Sequence, residues 1–229
     1  MTEATRPQAE TDSKEPYSEH TPAMRQYLIL RDKHPGVMLL YRIGDFYETF
    51  FDDAVKINRL IGLTLTKRGT FQGKPIPMAG IPAATLEQYL ARLVKLGVSV
   101  AICEQIGDPN EPGKATMDRK IVRIVTPGTL TDNALLSEKS DSVLLAVARI
   151  GRSPTANLGL VWLTLTNGRF CAASIAPQNL ATELARITPS EILVPAELRE
   201  TVQGAAAETA VNEMPAWYFD TERGRELLK

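Results

Sequence analysis

Apolar residues in this chain come in short runs closed by glycine or proline, and the period within the runs switches between the two of a strand and the 3.6 of a helix. That alternation predicts a mixed α/β fold. Hydrophobic residues at 44% with only two cysteines exclude a collagen-like, fully disordered or disulfide-stapled chain. No run approaches the ~18 apolar residues of a membrane span. The first residues, MTEATRPQAETDSKEPYSEH, have no apolar segment with a basic flank, so no export signal is read there. A cytoplasmic address is expected, with Cys103 and Cys171 reduced and buried.

The 26 Lys+Arg and 27 Asp+Glu are segregated: residues 1–20 carry a net −3, 21–125 a net +5 and 126–229 a net −3. The cationic middle permits a polyanion partner without demanding one. Punctuation divides the chain in the same way, into a flexible acidic tail over 1–20, a first domain over 21–124 and a second over 125–229.

Thr21-Pro22 starts a helix with Met24, Tyr27 and Leu28 on its buried stripe. Residues 37–43 read as an interior strand broken by Gly44-Asp45, after which Phe46-Tyr47-Glu48 opens or precedes a helix. Ala54, Val55, Ile57, Leu60 and Ile61 fall on one face of that helix, which stops at Gly62. Residues 63–66 form a short strand, and 67–74 a polar loop. The proline-rich 75–82 is assigned to a sheet edge or extended loop. Thr85-Leu86-Glu87-Gln88 matches a capping box ahead of Leu86, Tyr89, Leu90, Leu93 and Val94. Residues 98–103 make a strand, 107–114 a loop, and 121–125 a strand joining the two units, with turn chemistry in Thr126-Pro127-Gly128-Thr129. In the second domain, strands over 143–150, 158–166 and 169–175 precede a helix carrying Leu180, Leu184 and Ile187, a strand over 191–194 and a helix over 198–207. Asn167-Gly168 reads as a two-residue hairpin turn. This order is that of a ribonuclease H-like unit.

Few residues have the spacing of a catalytic centre. Gly107 to Lys114 has five residues between its glycines and Ala115 after the lysine, where a phosphate-binding loop needs four and Ser or Thr. No acidic residue stands between Ser142 and Thr182, where a metal-dependent ribonuclease H-like enzyme would need its ligands. His20, His34, Cys103 and Cys171 lack paired zinc-site spacing. A helical offset would bring Glu48 near Asp52 and Asp53, which leaves a nuclease cluster open. Phe46 is either a core ring or a projecting wedge.

The segments MLLYRIGDFYETFFDDA, LTLTKRG, PIPMAGIP, VSVAICEQIGDP and RKIVRIVTPGT, in this order, closely resemble the MutS family of DNA mismatch-repair proteins. The resemblance covers residues 21–135 as the mismatch-recognition domain and continues through a connector domain incomplete at its C-terminus. It implies that the Phe-x-Glu motif falls on Phe46 and Glu48, with the ring entering the minor groove at a mispaired or unpaired base and the carboxylate bonding that base. Arg42, Lys67 and Arg68 are then phosphate-contact candidates, and Ile43 and Met78 groove-lining ones. The family's lever, clamp and ATPase domains have no counterpart here, so neither enzyme activity nor a cofactor is expected of these residues. ATP and Mg belong to that ATPase domain. The implied partners are mismatched or looped duplex DNA, a MutL-like protein on the connector, and a second MutS copy, all in the bacterial cytosol. The alternatives are a metal-dependent nuclease using Glu48, Asp52 and Asp53, and a protein-interaction module with Phe46 in its core.

Overall fold

A computed structural model describes residues 17–107, 117–129, 142–206 and 208–227. Most of the expected acidic tail, and the 107–114 loop beyond Gly107, lie outside the described residues. Residues 17–20 depart from the flexible reading: the Tyr17 hydroxyl bonds Asp32, and the His20 ring stacks on Phe71 at 3.9 Å between centroids.

The first unit begins with α1 (Pro22–Asp32), whose N-cap Thr21 accepts from the Met24 amide as expected. Next come β1 (Met38–Ile43), β2 (Phe46–Phe50), α2 (Phe51–Ile61), β3 (Thr66–Phe71) and β4 (Lys74–Pro82). After a 3-10 turn, α3 (Leu86–Lys95), β5 (Val100–Ile106) and β6 (Asp118–Val125) complete it. The sheet order is β3-β4-β2-β1-β5-β6, with β1 and β5 parallel and the other pairs antiparallel. Central β1 is buried on both faces, which is why its sequence is a continuous apolar run. Met38 and Leu40 face α2 and α3 with Ile57, Leu90 and Leu93. Leu39 and Tyr41 face α1 with Tyr27, Phe50 and Cys103. Burial pushes the Tyr27 and Tyr41 hydroxyls and the Cys103 thiol up to about 12, so all three stay neutral at pH 7.

Several local expectations are corrected. Phe46-Tyr47-Glu48 forms a strand, because Gly44-Asp45 is a hairpin turn and not a simple break. Residues 63–65 are not a strand, whereas Lys67-Arg68-Gly69, read as loop, lies in β3. β4 is interior to the sheet despite its prolines, but it pairs with β2 only from Met78 onward. Pro75 and Pro77 therefore face β3 alone, where missing amides are tolerated beside a bulge. Thr85 caps nothing with its side chain; its hydroxyl donates to the Pro82 carbonyl, and Glu87 pairs with Arg123. β6 is an edge strand of the first sheet and does not join the two.

The second unit contains β7 (Val143–Arg149), β8 (Leu158–Thr164), β9 (Arg169–Ile175), α4 (Leu180–Ile187), β10 (Glu191–Val194), α5 (Arg199–Ala205), β11 (Ala210–Glu213) and α6 (Thr221–Leu227). Its order is β11-β10-β7-β8-β9, an antiparallel meander of β7, β8 and β9 extended by two parallel strands. The strand and helix succession is the one the ribonuclease H-like reading predicts, with β11 and α6 added. Leu145, Leu160 and Ile192 pack against Leu184 and Val202. The Asn167-Gly168 turn is wider than two residues: Thr164 pairs with Arg169, and the Gly168 amide donates back to the Thr164 carbonyl.

Candidate nucleic-acid interface

The β1–β2 hairpin closes through Gly44 and Asp45 between the paired residues Ile43 and Phe46. Gly44 has φ 58° while Asp45 does not have a positive φ, so glycine stands at the first central position, as a II′ turn requires. The Ala83 amide donates to the Asp45 carbonyl at 2.8 Å and ties the turn to the end of β4. Phe46 is thus held on a braced hairpin, with 46% of its surface exposed. That exposure removes the ring from the core and disfavours the reading in which it is only a packing residue.

Residues directly opposite one another in adjacent strands share a face. Ile43, Phe46 and Pro82 form one such row; Tyr41, Glu48 and Gly80 the next; Phe50 and Met78 the third. A Cβ on Gly80 would stand 3.7 Å from Phe46 Cδ1, 3.8 Å from Glu48 Cγ and 3.9 Å from Met78 Sδ. Phe46, Glu48 and Met78 therefore converge over a position with no side chain.

Glu48 is 5% exposed. Arg68 Nη1 donates to its Oε1 at 2.5 Å, while Oε2 is buried with no hydrogen-bond partner among the described residues. Burial raises the Glu48 pKa above its ordinary value, and the Arg68 guanidinium opposes that rise. The outcome is a carboxylate with one oxygen held and the other unused.

Of the seven candidates, the structure brings Ile43, Phe46, Glu48, Arg68 and Met78 to one surface. Arg42 belongs to the opposite face: its Nε donates to the Gly44 carbonyl at 2.5 Å, and its guanidinium lies 5.0 Å from the Tyr47 ring centroid. Lys67 is exposed on β3 in register with Pro77, also away from the Met78 row.

The nuclease cluster is not assembled. Glu48 lies on β2, so the helical offset to Asp52 and Asp53 does not exist, and Asp53 pairs instead with Arg31 at 3.5 Å. Among the described residues no group of three or more His, Cys, Asp or Glu is placed to hold a metal ion. Sequence reasoning missed Gly80 and the pairing of Arg68 with Glu48. The hairpin was legible, since Gly-Asp between two apolar runs is a hairpin signal. The ion pair was not, because it depends on the bulge between Lys67 and Thr70.

Fold and site together define an α/β protein with two sheets, the first of which presents an exposed aromatic ring on the same face as a buried carboxylate. Residues 21–134 match the family model of MutS domain I, and residues 142–229 that of MutS domain II. The chain belongs to the MutS family of DNA mismatch-repair proteins, in which these are the mismatch-recognition and connector domains, neither of them catalytic.

Proposed function

We propose that the chain recognises mispaired or unpaired bases in duplex DNA by inserting Phe46 into the minor groove while Glu48 bonds the affected base. The observation that carries this is the exposed Phe46 ring on the same face as a buried carboxylate oxygen without a partner. A wedge that unstacks a base step must supply a few kcal/mol. A mispair has already lost part of its stacking and pairing, so the kink forms most easily there. Glu48 adds discrimination. Next to an undistorted pair its carboxylate repels the backbone and Oε2 stays unbonded, whereas a base that offers a donor to Oε2 offsets its dehydration.

Arg68, Ile43 and Met78 flank the wedge in this reading. Arg42 supports the hairpin from behind, and Lys67 reaches a neighbouring phosphate. The connector carries the signal onward to a MutL-like partner, and a second MutS copy completes the clamp on DNA in the cytosol. ATP and Mg act in the family's ATPase domain, and no step here runs through them.

The test is a titration of paired oligonucleotides against duplexes with one mispair or one unpaired base, comparing the unaltered chain with Phe46→Ala. Loss of the preference supports the wedge; an equal preference in both proteins refutes it.

A further inference from the structure

We infer that Arg68 is a positioning residue for Glu48: it occupies Oε1 and leaves Oε2 as a single fixed acceptor, so that the site selects base edges offering an N–H. The inference rests on the reading of Glu48 given above and adds a residue that sets its specificity.

The geometry comes from the backbone. β3 and β4 shift register between Lys67 and Thr70, with Gly69 at φ 70°, and a bulge of this kind re-aims the side chain beside it. Arg68 is thereby brought across β4 to a carboxylate on β2, twenty residues earlier in sequence. A guanidinium stays charged at all working pH values, so its pairing favours the ionised, acceptor-only carboxylate against the burial that raises its pKa. A Glu48 without it, buried as it is, would more readily take up a proton and become a donor on one oxygen. Arg68 thus decides whether the site reads donors, such as thymine N3–H, or acceptors.

The surroundings leave this role to Arg68. Tyr41 on β1 stands directly opposite Glu48, and the adjoining hollow of about 350 Å³ is lined by Arg68, Arg119, His20 and Glu19 among others. Arg119 is engaged elsewhere, donating to the Arg42 and Met117 carbonyls and lying 4.7 Å from the Tyr41 ring centroid. The His20 ring stacks on Phe71.

A double-mutant cycle with a pH readout tests the inference. Duplexes with one unpaired thymine and fully paired duplexes are titrated with the unaltered chain, Arg68→Gln, Glu48→Gln and the double variant. Arg68→Gln is expected to lower the preference for unpaired thymine roughly tenfold when Glu48 is present, and less than about twofold in Glu48→Gln. The Glu48 carboxyl, followed by NMR, is expected to titrate higher in Arg68→Gln and to return toward its original position in Arg68→Lys. Equal effects of Arg68→Gln on both backgrounds and both duplexes, with a shallower salt dependence, would make Arg68 a phosphate contact and overturn the inference while leaving the proposed function standing. An unchanged Glu48 titration overturns it too. A preference untouched by Glu48→Gln and Phe46→Ala would instead remove the proposed function itself.

Discussion

Phe46 and Glu48 stand two residues apart on one strand and have opposite relations to solvent, the apolar ring exposed and the charged group buried. Each is unfavourable for the free protein, and such inversions mark residues whose partner is a ligand. Phe46→Ala should therefore leave stability within ~1 kcal/mol, since nearly half of the residue is exposed in the free chain. It should remove about 1–3 kcal/mol of mismatch binding, the worth of an aromatic stacked on a base. Thermal melts beside DNA titrations check both numbers. Glu48 affects stability through pH. Its folded-state pKa is raised from 4.5, so the folded chain holds a proton that the unfolded chain has released, and stability falls as pH rises through that interval. Glu48→Gln should gain ~1 kcal/mol at pH 7 and little below pH ~4. It should also bind paired duplex more tightly by relieving repulsion. A melting difference independent of pH, or weaker binding to paired duplex, contradicts this account of the carboxylate.

At the scale of elements, residues that bury one face of a helix were readable from spacing alone. Met24, Tyr27 and Leu28 on α1, and Leu86, Leu90, Leu93 and Val94 on α3, are buried as the period predicts. So was the stop at Gly62, which caps α2 with φ 71°. Gly62→Ala should cost ~1 kcal/mol in a urea titration, because a Cβ is disfavoured in that conformation although no neighbour lies within 4 Å. A cost near zero would mean that the turn relaxes without penalty. Strand boundaries in the wedge region were less legible. β2 passes into α2 directly, through Phe51 at φ 54°, with no polar cap or proline to announce the change. Local propensity could not separate strand from helix over Phe46-Tyr47-Glu48, because pairing with β1 and β4 on either side decides it.

Across the whole molecule, the turn at 126–129 is fixed to the second unit. The Gly128 amide donates to Glu191 Oε2 at 2.9 Å, Asn212 donates to Oε1 at 2.8 Å, and Ser142 Oγ donates to the Pro127 carbonyl at 2.5 Å. A Cβ on Gly128 would come within 2.9 Å of Glu191 Cβ and 2.7 Å of Leu144 Cδ1, so the approach requires glycine. Gly128→Ala should destabilise the second unit by about 1–3 kcal/mol and speed amide exchange over residues 126–129; unchanged exchange would show that the contact does not hold the turn. The sequence by itself determined the α/β class, the helix faces, the order of elements in the second unit and the family, since each rests on local periodicity or short ordered motifs. Only the tertiary structure decided that Arg68 meets Glu48, that Arg42 turns away from Phe46, and that Asp52 and Asp53 are separated from the carboxylate. Strand pairing and bulges join residues distant in the chain, and a one-residue shift in register reverses the face that a side chain occupies.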